Sequence, residues 1–290
     1  LGKKFAIILL KFLFCTSLYS QPSISLLEEY VFGNFRHATR IVIGMNNDIY
    51  VLDDEENKVY VYSDLNQPPI SIGGYGWSFG SFDKPSGLVT DGVNVYVSDF
   101  GNHRIQRFDR KLNYISSFST RDSSESTYRF GYPRDIALSE SGDLFILDGE
   151  NTRIVKFNPM YLFERAFGDI KSSGKAILRN PLRIIAKESK LFVMESKRVV
   201  VYDYFGNYIK SNEQEHLDSL KGIAVMEDGY ILVKNNSLMF FSSSDILLWT
   251  INIKLIFASE PIQSIQDIAV YGDLLYILAP KRIHVFRIFK

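Results

Sequence analysis

One short phrase recurs six times in this 290-residue chain. An apolar residue (Phe35, Phe82, Phe130, Leu178, Leu217, Ile262) is followed three positions on by an anchor: Ala38, Pro85, Pro133, Pro181, Leu220 or Ile265. Three further on stands an aliphatic pair: Ile41-Val42, Leu88-Val89, Ile136-Ala137, Ile184-Ile185, Ile223-Ala224 or Ile268-Ala269. The anchors are spaced 47, 48, 48, 39 and 45 residues apart, a period that marks a stacked or circular array.

Each unit repeats the same order of elements. After the aliphatic pair comes a turn rich in Gly, Asn, Asp or Glu, such as Ser141-Gly142-Asp143, which tolerates the left-handed backbone of a tight hairpin. A β-branched and aromatic run follows, as in Tyr50-Val51-Leu52, Val95-Tyr96-Val97 and Leu144-Phe145-Ile146-Leu147. Then come a polar turn, an alternating strand (Arg104 to Phe108, Arg153 to Phe157) and an outer strand such as Tyr161 to Phe167. No stretch carries a long 3.6-residue period with caps. Four short antiparallel strands in each of six units predict an all-β, six-bladed β-propeller.

The repeats with Tyr96-Val97-Ser98-Asp99 before Asn102-His103-Arg104-Ile105, and with Phe145-Ile146-Leu147-Asp148 before Asn151-Thr152-Arg153-Ile154, resemble the NHL repeat family. Tyr50 to Asp53 with Asn57-Lys58-Val59 fits nearly as well, and the resemblance spans roughly residues 26 to 290. Later repeats depart from it, with Glu195, Lys234 and Ala279 where the Asp stands. The resemblance implies six blades around a central channel. Among six-bladed relatives it also brings in lactonases and lyases with a metal on the axis.

The last repeat is short. From Ile265 the remaining residues suffice for three strands, and Leu26 to Gly33 resembles the outer strand Tyr161 to Gly168. A strand over 26–33 is therefore expected to complete the last blade and close the ring, leaving no large unpaired edge. The expected organisation is a signal peptide over residues 1–20 and one propeller domain over 21–290. Lys3 and Lys4 precede the apolar run Phe5 to Phe14, and Thr16, Ser17 and Ser20 follow, the order of a secretory leader. An exported protein (periplasmic, cell-surface or secreted) is expected. Loss of Lys3, Lys4 and Lys11 leaves 30 basic against 33 acidic residues, so nothing draws the mature chain to nucleic acid. The single cysteine, Cys15, lies in the leader, which removes disulfides and thiolate chemistry from the domain.

Chemistry is sparse. His37, His103, His216 and His284 fall in unlike positions of different repeats, read as isolated surface or turn residues, and no spacing enforces a zinc site. Phosphate-loop, nucleophile-elbow and His-Glu-x-x-His patterns are missing. Asp135 and Asp267 stand at matching positions before the aliphatic pair, where they are expected to face the channel and hydrogen-bond neighbouring backbone. Asp53, Asp99 and Asp148 each precede a base (Lys58, Arg104, Arg153) by five residues, a recurrence that reads as structural.

In an antiparallel four-stranded blade, the turn between strands two and three shares a face with the links between blades. The longest segments gather there, and loops on a rigid scaffold commonly carry binding. Trp77, Lys84, Tyr128, Arg129, Tyr132 and Arg179 are the candidate binding residues, since aromatics and Arg anchor interfaces. Phe79, Phe82 and Phe130 are expected to plug gaps between blades. The function expected is a non-catalytic, monomeric scaffold for a protein, peptide or glycan, with no cofactor. The alternative is a metal-dependent hydrolase or lyase of the lactonase-like kind, which would bring calcium or zinc.

Overall fold

The computed structural model describes residues 25–256 and 258–289, and within them six four-stranded antiparallel sheets form the ring. Blades 1 to 5 each use four consecutive strands, over residues 38–73, 85–118, 133–167, 181–212 and 220–252. Blade 6 takes three strands from residues 267–289 and its outer strand from Ser25–Phe32. Helix among the described residues is confined to two short 3-10 turns, Gly174–Ala176 and Ile253–Leu255.

Ring closure follows the expectation within a residue. Ser25–Phe32 runs antiparallel to Ile283–Phe289, with Leu26 opposite Ile288 and Phe32 opposite Ile283, and the register slips between Glu28 and Tyr30. The leader expected over 1–20 lies outside the described residues.

Burial explains the recurring phrase. Phe35, Phe82, Phe130, Leu178, Leu217 and Ile262 are all buried, as are the second-strand aromatics Tyr50, Tyr96, Phe145, Phe192, Tyr230 and Tyr276. They join six hydrophobic clusters, one at each junction between neighbouring blades. Between blades 2 and 3, for example, Tyr96 and Ile105 meet Phe130, Ile136, Ile146 and Phe157. A sheet two-sidedly buried in this way needs apolar residues at nearly every strand position, which is why the alternation is weak in the second strands.

A further regularity sets up the axis. In blades 1 to 5 the register of the innermost strand slips just after the anchor, between Ala38 and Arg40, Pro85 and Gly87, Pro133 and Asp135, Pro181 and Arg183, and Leu220 and Gly222. A bulge re-aims the residue that follows it. The residues so placed, with Asp267 of blade 6, ring one mouth of the channel.

Candidate functional site

In blades 1 to 4 the acidic residue ending the second strand ties down the link that precedes its blade. Asp53 accepts the N–H groups of Arg36 and His37, Asp99 that of Asp83, Asp148 that of Gly131, and Glu195 those of Arg179 and Asn180. Bases complete the arrangement at Asp99–Arg104 (2.7 Å), Asp148–Arg153 (3.0 Å) and Glu195–Arg198. Blade 1 differs from expectation, because Lys58 turns to Glu56 at 3.8 Å rather than to Asp53. The shorter turn of blade 4 moves the base from five residues on to three, and the pair survives. Repeated in four blades, this is architecture.

In blade 2 the same frame holds up an aromatic loop. Arg104 donates to the carbonyls of Trp77, Ser78 and Ser81, and Asn102 to that of Gly76. Fully buried Gln106 accepts the Gly80 N–H and donates to Ser81 O and Asp99. The backbone is thus pinned while the rings point away: Tyr75, Trp77 and Phe79 are 73%, 76% and 72% exposed. Phe79 corrects the expectation that it plugs a gap; it stacks outside the core on Tyr114, centroids 4.8 Å apart. Phe82 and Phe130 are core, as expected.

The structure distributes the sequence candidates over three neighbouring links of one face. Trp77 and Lys84 share the link into blade 2, and Lys84 borders a hollow of about 470 Å³ with Arg40, Asp54 and Phe100. Tyr132 rises in the next link, its ring 4.0 Å from His103 and its N–H given to His103 Nδ1 at 3.1 Å. Arg129 is exposed, whereas Tyr128 is half-buried against Phe163. Arg179 lies exposed in the link into blade 4. Sequence reasoning omitted Tyr75 and His103, which belong to the same surface. Burial, then the nearby Arg121 guanidinium, lowers the His103 pKa, so the ring is neutral near pH 7 and its Nδ1 is free to accept.

At the channel mouth the six positions before the aliphatic pairs read Arg40, Gly87, Asp135, Arg183, Gly222 and Asp267, an Arg-Gly-Asp order repeated twice around the ring. Asp267 accepts the Ile41 N–H at 3.2 Å, and Asp135 accepts the Ile184 N–H at 3.0 Å, the same bond half a turn apart. These are the backbone bonds expected of the two aspartates. The two arginines were missed, though the aligned repeats place them in the same column. Arg183 sits 3.4 Å from Asp135 and 3.2 Å from Asp267, reaching the latter past Gly222, which has no side chain to obstruct it. Glycine at 87 is required, because a Cβ there would lie 2.7 Å from Asp135 Cα. Below the ring, a cavity of about 190 Å³ runs between the aliphatic inner strands.

The histidines do not converge. His37 bonds Asp54 and His103 supports Tyr132, while His216 lies in the link into blade 5. His284 departs from the expected surface position: it is buried within the last blade and bonds Glu28. Among the described residues no group of His, Cys, Asp and Glu side chains is placed to hold a metal ion.

Fold and ring closure define a six-bladed β-propeller. Blades 2 and 3 carry NHL repeats: the NHL repeat profile matches residues 82–108 and 130–157. The chain is 29% identical over 154 residues to Protein brain tumor of Drosophila melanogaster, covering 51% of this chain and 14% of that protein. It is 35% identical over 83 residues to a probable peptidyl-alpha-hydroxyglycine alpha-amidating lyase of Caenorhabditis elegans, covering 27% of this chain and 24% of that protein. The chain thus spans under a quarter of the length of these curated relatives. Among solved structures, virginiamycin B lyase from Staphylococcus aureus superposes with a TM-score of 0.61 at 10% identity, covering 92% of this chain and 100% of that one. A streptogramin B lyase superposes at 0.59 with 13% identity, covering 87% of this chain and 79% of that one. Likeness at that identity is likeness of fold.

Proposed function

We propose that this propeller is an exported, non-catalytic scaffold that takes a protein or peptide partner on its link face. The observation that carries the reading is the loop of Tyr75, Trp77 and Phe79, three exposed rings on a backbone pinned by Asp99, Asn102, Arg104 and Gln106. Exposed aromatic surface costs solvation, and a loop ordered in advance loses little entropy on binding. Tyr132 and Arg129 extend the surface over the next blade. Export rests on the leader pattern, and sequencing the N-terminus of protein from the producing cell tests it: a start near Gln21 is expected, and an intact Leu1 in the cytosol contradicts it.

The binding surface is tested by the triple variant Trp77→Ala, Arg129→Ala, Tyr132→Ala. Surface changes cost within about 0.5 kcal/mol each, whereas truncating a core aromatic costs about 3–5 kcal/mol. The variant is expected to keep its Tm and lose the partner that the wild-type protein retains from envelope extract. A stable variant that retains that partner places the binding surface elsewhere.

A further inference from the structure

The hollow of about 470 Å³ between blades 1 and 2 holds two cations and no anion paired with either. Arg40 lines it from the innermost strand of blade 1, and Lys84 from the link into blade 2. Neither side chain forms an ion pair with a described residue. Arg40 gives Nη1 to the carbonyl of Thr39 at 2.8 Å and leaves Nε with no partner, while Lys84 is exposed. The acid nearest to hand is already engaged: Asp54 also lines the hollow, and its Oδ1 is bonded to His37 Nδ1 at 2.7 Å. Burial, then the Arg183 charge, pushes the Arg40 guanidinium down to about 10, as befits a cation short of a counter-charge. Other bases of this face meet an acid, as at Asp99–Arg104 and Asp148–Arg153.

The surroundings narrow the missing anion. Asn57 Oδ1 accepts the Lys84 N–H at 2.8 Å, so that side chain starts from a fixed point, and Thr39 brings a hydroxyl to the same hollow. Phe100 and Pro85 supply its apolar wall. Phe100 also packs on Tyr132, centroids 5.2 Å apart, which joins the hollow to the aromatic surface. A phosphodiester strand calls for a row of cations along its track. Here two cations meet at one hollow, with Asp54 in its wall and Asp83 next to Lys84 in the chain to repel a multiply charged strand. A side-chain carboxylate carries a single charge and accepts charge-assisted bonds from two donors at once. We infer that this hollow receives a Glu or Asp side chain of the protein or peptide partner, its carboxylate between Arg40 and Lys84 and its stem against Phe100. The inference rests on the partner-binding reading of the link face and gives that partner its chemistry, an acidic residue beside the segment that covers Trp77 and Tyr132.

The test is fluorescence anisotropy of the intact protein with a labelled, end-blocked oligoglutamate peptide, against oligoglutamine of the same length, at constant ionic strength. Oligoglutamate is expected to bind at least about tenfold more tightly, as charge-assisted hydrogen bonds predict. Lys84→Glu should lower that affinity at least about tenfold. Lys221→Glu, which alters an exposed base of the same face outside the hollow, should change it less than about twofold. Arg40→Gln should act like Lys84→Glu, and because Lys84 is exposed its variant keeps the fold and decides the matter if Arg40→Gln unfolds. Equal affinity for the two peptides, or equal losses from Lys84→Glu and Lys221→Glu, would overturn the assignment. So would tighter, Lys84-dependent binding of a single-stranded oligothymidylate. Neither peptide carries an aromatic residue, so these results leave the aromatic surface to the triple variant, and the two readings fail separately.

Discussion

Glu28, in the first described strand, and His284, in the last, lie 3.0 Å apart through Oε1 and Nδ1, joining the two ends of the chain across 256 residues. The second oxygen of Glu28 accepts the Ser259 N–H at 2.6 Å. Burial raises the Glu28 pKa, but the bonds from Ser259 and His284 outweigh it and the net shift is downward. A carboxylate with a depressed folded pKa stabilises the fold above its unfolded value of about 4.5 and loses that contribution as pH falls through the folded value. Glu28→Ala should therefore lower stability by about 1–3 kcal/mol at neutral pH, because it also orphans buried His284. Denaturant melts at pH 7 and below pH 4 check it: the difference between variant and wild type shrinks in acid. An equal deficit at both pH values would remove the carboxylate from the explanation.

His103 acts in a different window. Its folded pKa is lowered, so the fold favours the neutral ring, which alone can accept the Tyr132 N–H. That contribution is whole above the unfolded pKa of about 6.5 and is lost as pH falls through the folded value. The wild-type protein should lose stability as pH falls below about 6.5, and His103→Gln should flatten that part of the profile. Identical profiles in the two proteins would assign the acid sensitivity to other groups.

The axial ring predicts a large asymmetry between single and triple substitution. Arg183→Ala leaves Asp135 and Asp267 buried without their shared cation and should cost about 3–5 kcal/mol. Arg183→Met combined with Asp135→Asn and Asp267→Asn removes the charges together and should cost less than the single change. Equilibrium unfolding compares them, and a triple variant less stable than Arg183→Ala contradicts the network reading.

The sixfold phrase made blade number, interface cores and ring closure legible, because each depends on apolar residues at fixed repeat positions. The channel ring was half legible. Asp135 and Asp267 were visible as a matched pair, but Arg40 and Arg183 stood in the same column unnoticed, since their meaning emerges only when blades 1, 3, 4 and 6 converge on one axis. The position of Phe79 was not legible. Its spacing resembles that of a core residue, but buried Gln106, which fixes Gly80 and Ser81, and Arg104, which holds Trp77, Ser78 and Ser81, set the loop so that the ring lies outside. His284 misled for the opposite reason, because its partner Glu28 lies at the far end of the chain.

Gln106 gives a prediction of its own. Gln106→Leu keeps volume but removes the bonds to Gly80 and Ser81, so backbone amides over residues 78–82 should exchange at least about tenfold faster. Protection in the neighbouring strand Asn94–Asp99 should stay at its wild-type level. Unchanged exchange in the loop would show that Arg104 and Asn102 suffice to hold it.

The central claim, that the link face is where this propeller meets its partner, is tested most directly by site-specific photo-crosslinking in the producing cell. A photoreactive residue placed at Trp77 or Tyr132 reports on that face, and one placed at Gly272, a turn with open space around it on the opposite face, reports on the other. The account predicts one discrete crosslinked species, shared by positions 77 and 132 and missing from position 272. The same species formed from position 272 alone would contradict it.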